Sequence, residues 1–175
     1  DIKKELYLGL VFDRSSECIM VVASTEGGMS VEEISQEKPE TIIRSKIEAA
    51  VGMQEFQARE IAFGLGIDSK LISRAAEAIR GCYKAFSELD ATMVEVNPLV
   101  ISEQEQVLAL DCKMSFDNNA LFRRNQVSEL RDKTQENPSE VYASDRGLNY
   151  VSLDGNIGNI INGAGLAMAS MDMIK

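Results

Sequence analysis

Three polar residues interrupt two apolar, β-forming runs near the middle of the chain. Glu95 and Asn97 lie in the run 93–100, and Asp111 ends the return run 107–111. Carboxylate and amide oxygens are ligands that Mg²⁺ accepts, and this ion leaves its other positions to water and phosphate. If these side chains meet, the pattern predicts a site for magnesium and a phosphate ligand.

The two runs predict a β-hairpin, because the polar segment 102–106 separates them. Side chains alternate along a strand, so Glu95 and Asn97 share one face. A three-residue loop, 103–105, would set Asn97 opposite Asp111, whereas a two-residue loop would send the two to opposite faces. The spacing alone also fits a hairpin with an ordinary polar solvent face, so the residues by themselves leave both interpretations open.

Composition limits the classes of function that need to be considered. The chain has 175 residues, of which 45% are hydrophobic and 26% charged, as in an ordinary globular protein. Its net charge of −10 disfavours nucleic acid as a partner. No apolar run approaches the roughly 20 residues of a membrane span, so no membrane partner is expected. The chain has no histidine, so any imidazole chemistry must come from a partner.

Regular elements that would carry the hairpin are predicted before it. The candidates are strands at residues 4–13, 18–24 and 41–47, and helices at residues 53–65 and 70–89. The helix at 70–89 has an apolar stripe of the kind that faces a core. The pair Gly27–Gly28 lets the backbone turn or approach a ligand closely.

The pattern changes near Asn137. Strands are predicted at 150–153 and 159–162, and a helix follows the small residues after Asn162. A strand, a turn and a helix in this order open a nucleotide-binding α/β domain. We therefore expect one domain over residues 1–136 and the start of a second over residues 137–175.

Several short motifs are spread along the whole chain. Each occurs once, and their combination and order are more specific than any one of them. They are residues 4–9 (KELYLG), 13–16 (DRSS), 23–28 (ASTEGG), 95–100 (EVNPLV) with Asp111, 118–123 (NNALFR), 153–158 (LDGNIG) and 162–168 (NGAGLAM). Together they resemble the β subunit of succinyl-CoA synthetase, also called succinate–CoA ligase. The resemblance implies an α+β fold: the C-terminal half of an ATP-grasp domain, followed by the first β-α unit of a flavodoxin- or Rossmann-like α/β domain.

The resemblance also implies a reaction. Enzymes of this family are ligases that form acid–thiol bonds, and they interconvert succinate plus coenzyme A with succinyl-CoA in the tricarboxylic acid cycle. The cofactors implied are Mg²⁺ and ATP/ADP or GTP/GDP. The partner implied is an α subunit that carries the phosphohistidine and the coenzyme A site. A related ligase such as malate–CoA ligase is an alternative, as is a non-catalytic interaction module, against which the intact polar set argues.

Particular roles follow for five residues, by resemblance. Asn97 and Asp111 would be the Mg²⁺ ligands. Glu95 would be catalytic, approaching the partner's mobile phosphohistidine loop, and would otherwise be a bystander beside the metal. Glu5 would bind nucleotide, although alone it resembles an exposed edge carboxylate. Asn162 would bind substrate, although Asn before a helix is commonly an N-cap.

The resemblance covers part of the family's length. The nucleotide-binding lysine, the glycine-rich phosphate loop and the base-holding hinge match no segment of this chain. We therefore expect the chain alone to be inactive even if its parent is an enzyme. Three separated cysteines without metal-site spacing favour reduced thiols, and the family location is the bacterial cytoplasm or the mitochondrial matrix.

Overall fold

The structure is a computed structural model that describes residues 1–174. The strands in this part are β1 (Ile2–Asp13), β2 (Cys18–Ser24), β3 (Ile42–Ile47), β4 (Ala91–Ser102), β5 (Val107–Ala109) and β6 (Cys112–Phe116). The helices are α1 (Val31–Glu37), α2 (Glu55–Gly64), α3 (Ile72–Glu88), α4 (Asn125–Glu129), α5 (Pro138–Ser144) and α6 (Ala164–Ile174). The strands and helices expected between residues 4 and 111 are confirmed to within a few residues at their ends.

The chain forms two compact units, residues 1–130 and residues 131–175. Compactness alone does not assign domains, so the boundary expected after residue 136 stays a prediction. All six strands lie in the first unit and form one antiparallel sheet in the order β3-β2-β1-β4-β5, with β6 also paired to β4. The sheet and its helices confirm a mixed α and β architecture.

One face of the sheet is apolar and packs against helices α2 and α3. The strands contribute the fully buried residues Leu6, Leu8, Leu10, Val94 and Val96. The buried side chains of α3 recur at helical spacing and are Ile72, Ala75, Ala76, Ile79 and Phe86. Burying a leucine-sized side chain contributes about 1.5–3 kcal/mol, so this layer fixes which face of each strand is turned inward.

The hairpin has the register predicted for a three-residue loop. Ile101 pairs with Val107 next to the loop, and Glu95 pairs with Lys113 farther along. Glu105 adopts a left-handed φ of 58°, and its N–H donates to the carbonyl of Ser102 at 3.0 Å. Three-residue hairpin loops commonly place their last residue in this conformation.

The second unit differs from the sequence prediction. The segments 150–153 and 159–162 are not strands in the structure, so this part of the predicted β-α unit is wrong. A strand exists only where a neighbour satisfies its backbone groups, and no described residue pairs with either segment. Helix α5 begins at Pro138, which occupies the first turn, and Asn137 Oδ1 accepts the Ser139 N–H at 2.8 Å.

Within residues 1–174, no helix combines the length and the apolar character needed to cross a bilayer.

Candidate functional site

The face of the sheet turned away from α2 and α3 carries the polar residues. Leu8 and its partner Val96 are both buried in the helix-covered core. Because side chains alternate along a strand, Gly9 and its partner Glu95 lie on the opposite face. Lys113 pairs with Glu95 from β6 and shares that face.

A small cavity on this open face collects the candidate metal ligands. Its volume is about 140 Å³, and it is lined by Glu95, Asn97, Asp111 and Lys113. The same register continues on both sides of the short gap between β5 and β6, which sets Asn97 opposite Asp111. The arrangement on one face is the one that the three-residue loop predicted, and it gives room for a cation with water molecules.

A glycine loop, residues 27–29, is tied to this site by Asn97. The Gly28 N–H donates to Asn97 Oδ1 at 2.8 Å, and Asn97 Nδ2 donates to the Met29 carbonyl at 2.8 Å. A Cβ at Gly27 would lie 2.5 Å from the backbone nitrogen of Leu6, so only glycine fits there. Gly27 therefore approaches β1 of the same sheet closely, whereas the approach of the glycine pair to a ligand stays a prediction.

Glu5 lies beside the same loop. Its Oε2 is 3.0 Å from the position of a Cβ built on Gly28, and its side chain is exposed. Asn162 belongs to the second unit, where it is exposed just before α6. The structure therefore places Glu5 near Asn97 through the loop, whereas Asn162 is placed only within its own unit. The nucleotide role of Glu5 and the substrate role of Asn162 stay predictions.

The donor set fits Mg²⁺. Asn97 Oδ1 uses one lone pair on the Gly28 N–H and keeps a second, and Asp111 Oδ1 accepts the Cys112 N–H at 2.9 Å, which leaves Oδ2. Among residues 1–174, no three His, Cys, Asp or Glu side chains cluster as a metal cage. A metal here would thus rely on one carboxylate, one amide, water and ligand oxygens, which is the usual coordination of Mg²⁺.

Two residues of the site were not predicted from the sequence. Lys113 lines the cavity with Asp111, two positions earlier, and the two-residue period of a strand could have indicated it. Tyr7 is 5% exposed, and its pKa is raised well above its usual value by burial first and then by the negative charge of Glu95. Its hydroxyl lies over Gly9, 2.7 Å from where a Cβ would stand, and this placement has no signal in residue spacing.

Comparisons with known proteins agree with this architecture. The family model described as "ATP-grasp domain" matches residues 1–101. A solved structure of ATP citrate lyase from Methanothrix soehngenii, in complex with citrate and coenzyme A, superposes with a TM-score of 0.73 over 99% of this chain and 42% of its own. At 16% sequence identity this similarity concerns the fold alone.

Curated relatives align along the whole chain. The probable malate–CoA ligase subunit beta of Mesorhizobium japonicum is 61% identical over 175 residues, which is 44% of that protein. The ADP-forming succinate–CoA ligase subunit beta of Bacillus subtilis is 51% identical over 175 residues, or 46% of its length. The chain thus spans a little under half the length of these relatives.

Proposed function

Because this chain belongs to the ATP-grasp domain family, we propose that it is part of the β subunit of a nucleotide-dependent ligase that joins a dicarboxylic acid to coenzyme A. One observation carries the proposal: a cavity on the open face of the sheet is lined together by Glu95, Asn97, Asp111 and Lys113. Relatives named as β subunits of such ligases support it, since they align with the chain over all 175 residues.

Asn97 and Asp111 would hold Mg²⁺ against the phosphates of ATP or GTP. The bound ion would offset negative charge on the transferring phosphoryl group. Asp111 contributes one charge, and Asn97 contributes an oxygen without adding repulsion toward phosphate. Lys113 adds a positive charge from β6 on the same face, where it can contact phosphate oxygens.

Glu95 would receive a histidine from an α-subunit partner, because this chain contains none. A carboxylate that accepts one imidazole N–H fixes the tautomer and leaves the other nitrogen free as the nucleophile. That nitrogen would take the terminal phosphoryl group as the nucleoside diphosphate leaves. The phosphoryl group would then pass to the acid, and the thiol of coenzyme A would displace phosphate from the acyl phosphate.

The proposal also assigns binding roles to Glu5 and Asn162. Glu5, beside the glycine loop, can accept a hydrogen bond from the nucleotide. Asn162, before α6, can donate its amide to a substrate carboxylate or phosphate. If the full-length protein is bacterial, such a ligase would work in the cytoplasm.

The acid is proposed to be succinate, with malate as a second candidate. The malate alternative is favoured by one observation: the malate–CoA ligase relative is 61% identical to this chain, whereas the Bacillus subtilis succinate–CoA ligase relative is 51% identical. Measuring kcat/KM for both acids on the full-length protein with its α partner decides between them. If kcat/KM is higher for malate than for succinate, malate and not succinate is the substrate.

The proposed function is tested by phosphorylation of the partner. Full-length protein carrying this chain is combined with an α subunit, magnesium and radiolabelled ATP, and label on the partner's histidine is followed. We expect Glu95→Gln to slow labelling while Mg²⁺–nucleotide affinity is kept, and Asp111→Asn to weaken that affinity. Asp68→Asn, an exposed carboxylate that caps the Lys70 N–H, is the matched control. Labelling at the wild-type rate in both site variants would contradict the proposal.

A further inference from the structure

We propose that Tyr7 is a positioning residue for Glu95, whose carboxylate it holds in one orientation by reaching across Gly9. The inference rests on the proposed function, because it concerns the carboxylate that would receive the partner's histidine. It assigns a task to a buried phenol that the proposed reaction does not otherwise use.

The backbone pairing brings the two side chains to the same place. Tyr7 and Gly9 lie on one face of β1, and Gly9 pairs with Glu95 on β4. Directly paired residues on one face have their side chains within about 5 Å of each other. A side chain that lies over Gly9 therefore comes within reach of Glu95.

Gly9 is what allows Tyr7 to lie there. A Cβ built on Gly9 would be 2.7 Å from the Tyr7 hydroxyl oxygen and 3.2 Å from two ring carbons. Any other residue at position 9 would push the hydroxyl away from its present position. Because Gly9 has no side chain, the surface of the sheet is open at this position, and the phenol of Tyr7 occupies that space.

Because Tyr7 is buried, its hydroxyl is expected to donate its hydrogen bond to a protein acceptor. Tyr7 is 5% exposed, so its hydroxyl has little water to bond with and needs a protein acceptor. An ionised carboxylate only accepts hydrogen bonds, which matches Glu95 to a phenolic O–H. Burial first, and then the negative charge of Glu95, raise the pKa of Tyr7, so the hydroxyl keeps its proton at neutral pH.

No described ion pair competes with Tyr7 for the carboxylate of Glu95. Lys113 pairs with Glu95 across the strands, yet within residues 1–174 Glu95 takes part in no ion pair. A glutamate has three side-chain torsions to fix, and fixing them beforehand lowers the cost of presenting an oxygen to the imidazole. A hydrogen bond to one oxygen leaves the other oxygen for that purpose.

The kinetic test uses the full-length protein with its α partner. Tyr7→Phe keeps the ring over Gly9 and removes the hydroxyl, and we expect partner phosphorylation to slow by about ten- to hundredfold. The KM for Mg²⁺–nucleotide should stay within about twofold, because Asn97 and Asp111 are untouched. Gly9→Ala should slow phosphorylation as well, by displacing the hydroxyl.

A matched control exists on α3. The Tyr83 hydroxyl lies 3.0 Å from the position of a Cβ on Gly52, so Tyr83→Phe removes a hydroxyl in a similar setting away from the cavity. We expect it to leave the phosphorylation rate unchanged. Thermal unfolding of each variant shows whether a slow rate reflects loss of the fold, which would overturn the positioning role for Tyr7→Phe.

The contact itself is read out on the 175-residue chain without any reaction. The ring-mode doublet in Raman spectra of tyrosine reports whether the hydroxyl donates or accepts, and subtracting the Tyr7→Phe spectrum isolates Tyr7. We expect a strong-donor signature that weakens in Glu95→Gln. A Tyr7 signature that does not change in Glu95→Gln would overturn the proposal.

The outcomes separate this inference from the proposed function. If Glu95→Gln slows phosphorylation while Tyr7→Phe keeps the wild-type rate, the positioning role is overturned and the proposed function stands. If both are slow with unchanged KM, the positioning role is supported. If Glu95→Gln itself keeps the wild-type rate, the proposed role of Glu95 fails and the positioning role is overturned with it.

Discussion

The side-chain oxygen of Asn97 accepts the backbone N–H of Gly28 at 2.8 Å, although the two residues are 69 positions apart. The amide nitrogen of Asn97 donates to the Met29 carbonyl, so both polar atoms of the side chain hold the glycine loop. The proposed metal ligand is therefore oriented by the fold before a cation arrives. Preorganisation of this kind lowers the cost of binding.

Replacing Asn97 should release the glycine loop. Asn97→Ala removes the acceptor for the Gly28 N–H, and we expect hydrogen exchange at that amide to speed up by about tenfold or more. Exchange in β1 should change little, because its amides bond within the sheet. Asn119→Ala removes an exposed amide that bonds only Asp117 locally, and it serves as the control. Unchanged protection of the Gly28 amide in Asn97→Ala would show that the loop is held by other contacts.

Lys113 should contribute to nucleotide binding. It lines the cavity with Glu95 and Asp111, and its charge offsets that of phosphate. In the full-length protein we expect Lys113→Ala to raise the Kd for Mg²⁺–nucleotide by roughly tenfold, as measured by calorimetry. Lys84→Ala, an exposed lysine on α3 that pairs with Glu88, should bind as the wild type does. Equal affinities for the two variants would place Lys113 outside the phosphate site.

Asp90 should stabilise the fold in a pH-dependent manner. Arg123 makes a two-point contact to its carboxylate at 2.7 and 3.1 Å, and Arg124 adds a third hydrogen bond at 2.6 Å. These guanidinium groups hold the pKa of Asp90 below its ordinary value of 3.8. The stabilisation is therefore complete above the ordinary pKa and is lost as the pH falls through the lower pKa of the folded state.

The matching measurement compares the Tm of the wild type and Asp90→Asn across pH. Asparagine tolerates the left-handed φ of 51° at this position, so the substitution removes the charge and keeps the turn. We expect the variant to melt a few degrees lower at neutral pH, with a constant gap down to about pH 5 that closes below the ordinary pKa. A gap that widens in acid would contradict the assigned sign.

The register of the hairpin could be predicted because it depends on local chemistry. Two β-forming runs and the polar segment between them define a short loop, and a three-residue loop leads to Asn97 opposite Asp111. The helix-covered face was predictable for the same reason, since alternation along β4 places Val94 and Val96 inward. Both inferences used spacings of a few residues.

What the sequence could not show depends on contacts between distant segments. The bond from Gly28 to Asn97 and the placement of Tyr7 over Gly9 arise only when β1, β4 and the glycine loop assemble. The expected strands at 150–153 and 159–162 failed for a related reason. Their residues favour extended backbone, but a sheet also requires partner strands, and none of the described residues supplies them.

The central claim is that Asn97 and Asp111 form a cation site, and paramagnetic broadening tests it on the chain itself. Mn²⁺, which accepts the same oxygen ligands as Mg²⁺, is titrated into ¹⁵N-labelled protein while amide signals are followed. We predict selective broadening of the amides of Gly28, Asp111 and Cys112 that is lost in Asp111→Ala and kept in Asp68→Asn. Broadening that persists in Asp111→Ala, or that is centred on other carboxylates, would contradict the assignment of this cavity as the metal site.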